Sequence, residues 1–364
     1  MLIGIDGRPF YGAQAGTGRY VAELCRVLDE ELPEANFLVY GNRPMQLPVI
    51  GKRWQQRSDV SFLGSRLPAS LWYFLMAGKL AARDGVDVFW GAANFLPLGL
   101  PAKIRAVLTV YDLVFRLYPQ TMGWQHRLVY LLFYRHSLKR ATFTASISQG
   151  TADRLSSMYR KASDMIVRPH AGEQFKTQDK ATVEAALRKY GIDFPYFLSV
   201  STLEPRKNLI SLIDAVTQLS GEGLLGDVGL VLVGQQGWMN RALILQLDAA
   251  RANGVRIVQT GYVDDDDLPA LYAGAKAVVM PSLYEGFGMP VLEAQSCGAR
   301  VIASDTPEIR EAGGETPLYI EPSVAGIRKG LLAMLASGQG AVEAMGRPKV
   351  GWIQEGRRFA GLFR

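Results

Sequence analysis

The sequence predicts an α/β protein made of two doubly wound domains, and three observations carry that expectation. Short β-branched runs alternate with longer segments of helical period, the pattern of parallel sheets wound by helices. At 364 residues the chain exceeds the size at which one hydrophobic core keeps growing, and its apolar fraction of 48% is ample for two. The alternation is broken once, by a polar stretch at Gly172 to Lys180, and then resumes.

In the first half the strand candidates are Leu2 to Asp6, Phe37 to Gly41, Val60 to Leu63, Val86 to Trp90, Ile104 to Tyr111 and Phe143 to Ser148. Helices fill Thr17 to Leu32, Ala69 to Arg83 and Trp124 to Arg140. A second series of strands runs through Tyr196 to Val200, Val228 to Val233, Val255 to Thr260, Ala277 to Pro281 and Arg300 to Ala303, again with helices between. The boundaries follow: a first domain over 1–175, a linker over 176–195, a second domain over 196–346, and a closing amphipathic helix over 347–364. Two such Rossmann-like domains facing a central cleft would hold ligands beyond the carboxyl ends of their strands.

Composition excludes several classes. Stretches such as Leu128 to Tyr134 fall far short of the roughly 20 apolar residues that span a bilayer. The start Met1-Leu-Ile-Gly-Ile-Asp6 lacks the basic, apolar and small-residue pattern of a signal peptide, which predicts a cytoplasmic protein. Cys25 and Cys297 are too few for a disulfide framework or a metal cluster and read as reduced and structural. Residues 1–175 hold 21 Lys/Arg against 13 Asp/Glu, while 176–364 hold 19 against 21. The basic half suggests an anionic partner, nucleic acid or an anionic membrane surface, against the alternative of a merely basic surface, and the partner expected is the membrane surface and not nucleic acid.

The most informative segment is Pro281-Ser-Leu-Tyr-Glu285-Gly-Phe-Gly-Met-Pro290-Val-Leu-Glu293. Pro290 suits the start of a helix, and Gly286 and Gly288 let the chain turn tightly before it. A helix N-terminus there offers an anion site suited to a diphosphate. Glu285 and Glu293 approach it from two heights, and carboxylates accept hydrogen bonds from vicinal hydroxyls. A second motif, Ser199-Val-Ser-Thr-Leu-Glu204-Pro-Arg206-Lys207-Asn208, places two adjacent cations at a strand's carboxyl end, where they can neutralise a leaving diphosphate. Asn208 is expected to cap the next helix. The loop Gly16-Thr17-Gly18 opens the first helix and suits a phosphate or polar acceptor, without the third glycine of a dinucleotide fingerprint. The run Asp264 to Asp267 precedes Leu268-Pro and reads as helix capping rather than as a metal site. His126, His136 and His170 have no zinc spacing. No metal and no cofactor is expected.

The frame Pro-Ser-x-x-Glu-Gly-Phe-Gly-x-Pro-x-Leu-Glu-Ala, continuing into Val301-Ile-Ala-Ser-Asp305-Thr-Pro-Glu308-Ile, resembles family 4 of the retaining glycosyltransferases, which have the GT-B architecture. The resemblance implies that Glu285 contacts the donor sugar, that Glu293 holds the ribose, and that Gly286, Phe287, Gly288 and Met289 hold diphosphate and sugar. It gives Arg206 and Lys207 the leaving group. It is looser in the first half. Many relatives carry His where Tyr111 stands before Asp112, the position that approaches the sugar, and Glu where Ile147 lies between two serines.

The expected activity is hexosyl transfer from a nucleotide diphosphate to a glycan or polyprenyl-linked acceptor. The motif forms are similar to those of bacterial mannosyltransferases of O-antigen or capsule synthesis, so GDP-mannose is the first donor expected, with a deoxysugar donor as an alternative. A sugar-nucleotide epimerase and a non-catalytic nucleotide-sugar-binding module remain open. A glycoside hydrolase also uses two carboxylates, but it has no diphosphate for Arg206 and Lys207 to stabilise.

Overall fold

The computed structural model describes residues 1–12, 16–58, 66–238, 241–337 and 351–364. The chain divides into two compact units, one of Met1–Leu113, Leu128–Pro169 and Lys349–Arg364, the other of Val114–Arg127 and His170–Pro348.

In the first unit, strands β1 (Leu2–Asp6), β2 (Asn36–Gly41), β3 (Trp54–Ser58), β4 (Val88–Gly91), β5 (Arg105–Val110), β6 (Phe143–Ser146) and β7 (Met165–Ile166) form one sheet. Its order among the described residues is β3-β2-β1-β4-β5-β6-β7, and every pairing is parallel. Ile3, Ile5, Val88, Trp90 and Leu108 are fully buried, because helices cover both faces of a parallel sheet. These helices include α1 (Gly16–Glu31), α2 (Ala69–Trp72) and α3 (Gly78–Arg83). The short α4 (Val114–Leu117) leaves for the second unit, and α5 (Trp124–Arg140) and α6 (Gln149–Tyr159) follow.

The differences from the sequence reading have local causes. The candidate Val60 to Leu63 lies outside the described residues, and the strand observed next to β2 is Trp54–Ser58. It is polar because it is an edge strand anchored by one residue, Trp54, stacked on Phe37 at 4.1 Å. β7 has two residues, too few for a periodic signal. The helix expected over Ala69 to Arg83 contains a π turn at Tyr73–Ala77, where the Arg8 guanidinium lies 3.8 Å over the Tyr73 ring.

The second unit holds β8 (Tyr196–Val200), β9 (Gly229–Val233), β10 (Ile257–Gly261), β11 (Ala277–Met280), β12 (Val301–Ser304) and β13 (Leu318–Ile320). Its order among the described residues is β10-β9-β8-β11-β12-β13, again parallel. Leu230 and Leu232 join the core on one face and Val231 and Val233 the core on the other, the alternation of a pleated strand buried on both sides. Its helices are α7 (Lys180–Lys189), α8 (Leu209–Gly221), α9 (Arg241–Ala252), α10 (Leu268–Gly274), α11 (Met289–Ser296), α12 (Pro307–Gly313) and α13 (Val324–Ala336). The segment read as a linker over 176–195 therefore contains α7, capped by the Asp179 carboxylate on the Thr182 amide at 2.7 Å. It looked like a linker because Ala186 alone is buried on that helix.

After residues outside the description, α14 (Trp352–Ala360) rejoins the first unit beside α1. Trp352 meets Tyr20 edge-on at 5.6 Å, and Phe359 and Phe363 pack on Trp90.

Candidate functional site

Strand order decides which loops meet. In the second sheet the winding reverses between β8 and β11, so the loops leaving their carboxyl ends turn to opposite faces and open a crevice between them. The loop after β8 carries Arg206 and Lys207, and the loop after β11 carries Glu285. They meet as an ion cluster: Lys207 Nζ donates to Glu285 Oε1 at 2.6 Å and Arg206 Nη1 to Oε2 at 2.7 Å. Ser282 adds a hydroxyl donor to Oε1 at 2.6 Å.

The electrostatics follow from that geometry. Burial pushes the Glu285 carboxyl up, but the fields of Arg206 and Lys207 and the hydrogen bonds from Lys207 and Ser282 outweigh it and hold the pKa down at about 2. The carboxylate is ionised throughout the physiological range.

The two cations are not equivalent. Arg206 donates through Nε and Nη2 to Glu204 Oε1, at 3.1 and 2.6 Å, and through Nη1 also to the Tyr284 carbonyl at 2.9 Å. The Leu283 amide returns a bond to the Arg206 carbonyl at 2.9 Å. Arg206 therefore staples the two loops, using the planar fork that suits it to bidentate contacts. Lys207 is a compact charge with three rotatable donors, better suited to a mobile anion.

Asn208 corrects its expected role. It occupies the position before α8, but with left-handed backbone (φ 57°), and its side chain makes no cap. Its Nδ2 instead donates to the Pro281 and Pro322 carbonyls at 3.1 and 2.9 Å, fixing the base of the Glu285 loop.

Gly288 precedes α11 with φ 129°, a conformation that disfavours any side chain, and Pro290 takes the second helical position. Phe287 is buried, Gly286 leads into the turn, and Met289 begins the helix. Glu293 lies a turn inside α11, buried, with Oε2 accepting from the Tyr272 hydroxyl at 2.8 Å. The acidic run also behaves differently from a cap. Asp267 stands before α10, but its carboxylate accepts from Lys189 Nζ at 2.5 Å and the Tyr190 hydroxyl at 2.8 Å, binding α10 to α7.

In the first unit, Gly16 and Thr17 are exposed at the start of α1 and Gly18 is buried. Tyr111 is turned into the interior: its hydroxyl donates to the Ala92 carbonyl at 2.8 Å, its ring meets Tyr20 edge-on at 5.5 Å, and burial raises its pKa well above the usual value. The Tyr111 hydroxyl is thus spent on the backbone. Asp112 follows it, half-buried.

Sequence reasoning did not single out four residues: Ser282 and Glu204, which bond to the cluster, and Tyr118 and Trp238, which pack nearby. Ser282 and Glu204 lay inside the two motifs, where a hydroxyl beside Glu285 and a carboxylate beside Arg206 were in plain view. Tyr118 and Trp238 carried no local signal. Tyr118 comes from a segment that the fold brings to the second unit, and Trp238 from that unit's own loop after β9.

Two doubly wound parallel sheets, with a cation–carboxylate cluster at the switch point of the second, define a GT-B glycosyltransferase. The chain belongs to the group 1 glycosyltransferases: the family described as "Glycosyl transferases group 1" matches residues 183–336. It is 32% identical over 323 residues to O-antigen chain mannosyltransferase B of Escherichia coli, covering 85% of this chain and 83% of that protein. It is 34% identical over 208 residues to the serotype-specific mannosyltransferase WbdA of Escherichia coli, covering 54% of this chain and 25% of that longer protein. The fold is similar to that of WaaG, a glycosyltransferase involved in lipopolysaccharide biosynthesis, with a TM-score of 0.70 and 18% identity over 99% of this chain and 95% of the other. The enzyme is a hexosyltransferase, and family membership replaces the epimerase and non-catalytic readings.

Proposed function

We propose that this enzyme moves mannose from GDP-mannose to a glycan growing on a polyprenyl diphosphate carrier, with retention at the anomeric carbon. The observation that carries the reading is the Lys207–Glu285–Arg206 cluster beside the start of α11. Lys207 and the α11 N-terminus take the diphosphate, Glu285 and the Gly286 to Met289 turn take the sugar, and Glu293 takes the ribose. The bond from C1 to the β-phosphate oxygen breaks, the acceptor oxygen bonds C1 from the same face, and the departing phosphate takes the acceptor's proton. The products are the lengthened glycan and GDP. Mannose is favoured by the motif forms and by the mannosyltransferase names of the E. coli relatives. Calorimetry with GDP, UDP and dTDP tests the carrier, and NMR of the product linkage tests retention. Preference for UDP or dTDP would replace the donor, and an inverted linkage would replace the mechanism.

A location at the cytoplasmic membrane face is part of this reading, supported by α5. No helix among the described residues is long and apolar enough to cross a membrane. Towards its C-terminal end α5 buries Tyr134, Ser137 and Leu138, while Leu128, Leu131 and Leu132, nearer its start, are 46%, 50% and 60% exposed. Exposed Arg135 and Lys139 continue the row of Leu128 and Leu132, and the helix has no acidic residue. Apolar side chains followed by cations suit the headgroup boundary of an anionic bilayer. Arg140 does not belong to this surface, because it donates to the carbonyls of Leu100, Pro101 and Ile104. Flotation with phosphatidylglycerol vesicles should show salt-sensitive binding, weakened by Arg135→Glu with Lys139→Glu and by Leu131→Ser with Leu132→Ser. No binding even at low ionic strength, where screening is least, would remove the membrane claim and leave the transfer reaction untouched.

A further inference from the structure

The segment Val114–Arg127 leaves the first sheet after β5 yet folds with the second unit. It touches the Glu285 loop of the ion cluster and the loop after β9. The Tyr118 ring lies nearly parallel to that of Tyr284, 15° between planes and 6.0 Å between centres, and Tyr284 immediately precedes Glu285 and lends its carbonyl to Arg206. Further along, the Thr121 carbonyl accepts from the Trp238 indole N–H at 2.8 Å, and the His126 ring packs on the Trp238 ring at 5.9 Å.

Trp238 is itself tied to the cation loop. Its loop, after β9, is zipped to the one after β8: the Leu203 amide donates to the Gln235 carbonyl at 3.0 Å and the Gly237 amide to the Leu203 carbonyl at 3.2 Å. The approach is tight enough that a Cβ on Gly234 would lie 1.9 Å from the Ser201 carbonyl oxygen. Leu203 is followed by Glu204, Arg206 and Lys207, so backbone bonds link the Trp238 loop to the loop of the cations.

We propose that Val114–Arg127 is a strap that positions the donor-binding loops, and that Tyr118 and Trp238 are its positioning residues. One contact holds the Glu285 loop and the other holds the loop after β9, which is bonded to the Arg206–Lys207 loop. The strap thereby fixes the separation of the carboxylate and the cations before a nucleotide arrives, and preorganisation of this kind is expressed in affinity. Neither residue need touch the donor. The nucleotide part of the test rests on the function proposed above, whereas the loop-ordering part does not.

The experiment uses the full chain with Tyr118→Leu, Tyr118→Phe and Trp238→Phe. Hydrogen exchange should show faster amide exchange at 201–208 and 281–289 in Tyr118→Leu and in Trp238→Phe, and wild-type protection in Tyr118→Phe, which keeps the ring. Affinity for GDP should fall by about threefold to tenfold in the two defective variants, the range expected for loss of an aromatic contact or of one hydrogen bond. The donor KM should rise by a similar factor while the acceptor KM stays within about twofold of wild type. Unchanged exchange in both loops of folded Tyr118→Leu and Trp238→Phe proteins would overturn the strap. Equal damage from Tyr118→Phe and Tyr118→Leu would overturn the stacking that it invokes. A wild-type chain that binds no nucleoside diphosphate would overturn the proposed function, and the exchange result would then decide the strap alone.

Discussion

At Glu285 an acidic side chain is buried between two cations, and its low pKa makes it a stability switch at acid pH. The folded value, about 2, lies below the unfolded value near 4.5. The sign follows: the stabilisation is fully present above pH 4.5 and is lost as pH falls through 2. Urea unfolding at stepped pH should show the wild type losing on the order of 3 kcal/mol more than Glu285→Gln across that window. Parallel curves would refute the coupling. Lys207→Ala should lower turnover roughly a hundredfold or more, as for loss of one preorganised charge donor. The buried pairing adds a consequence that the sequence alone did not suggest: removing Lys207 leaves Glu285 short of a partner, a change that destabilises by up to about 3–5 kcal/mol. Lys207→Arg should recover much of the thermal midpoint, so measuring midpoint and turnover together separates charge in the fold from charge in the reaction.

Among the elements, α14 shows how little room a helix interface can leave. Gly356 faces α1, where an added Cβ would come within 2.5–2.9 Å of Val27 side-chain atoms. Alanine favours an isolated helix by about 1 kcal/mol over glycine, but overpacking against a stiff β-branched neighbour costs about 1–3 kcal/mol. The clash should win. Gly356→Ala is expected to lower the urea midpoint, and Val27→Ala added to it should restore part of the loss by opening space. A stabilised Gly356→Ala would mean that α14 does not sit on α1 in this way. The same helix explains why a chain ending before Gly351 should be unstable. Trp90, Tyr20 and Val27 would lose the partners that cover them.

For the molecule as a whole, the distribution of charge sets expectations about metals. The cations at the candidate site are Lys207 and Arg206, beside the N-terminus of α11, and the acidic run is engaged elsewhere, with Asp264 and Asp267 both paired to Lys189. Transfer should therefore proceed at an unchanged rate after dialysis against EDTA. Loss of activity that magnesium or manganese restores would show that the leaving diphosphate needs more charge than the protein supplies. The cysteines should be inert in the same assay, since burial pushes Cys25 well up and Cys297, with Glu293 adding to burial, up to about 12.

The sequence determined by itself what is encoded within a few residues of chain. The two alternating series, the turn before α11 and the Arg206–Lys207 and Glu285–Glu293 motifs were legible because strand period, glycine placement and motif spacing are local properties. Tertiary structure decided which of these meet. Lys207 and Glu285 stand 78 positions apart, and strand order, which no periodicity carries, brings them to one switch point. The same holds for Trp238 and Thr121, 117 positions apart, and for α14, whose apolar side announced a packing surface without naming α1 as its partner. Arg206 became a staple and Tyr111 an interior residue for one physical reason. A side chain's chemistry is written in its own identity, but its available donors are fixed by what the folded chain has already placed around it.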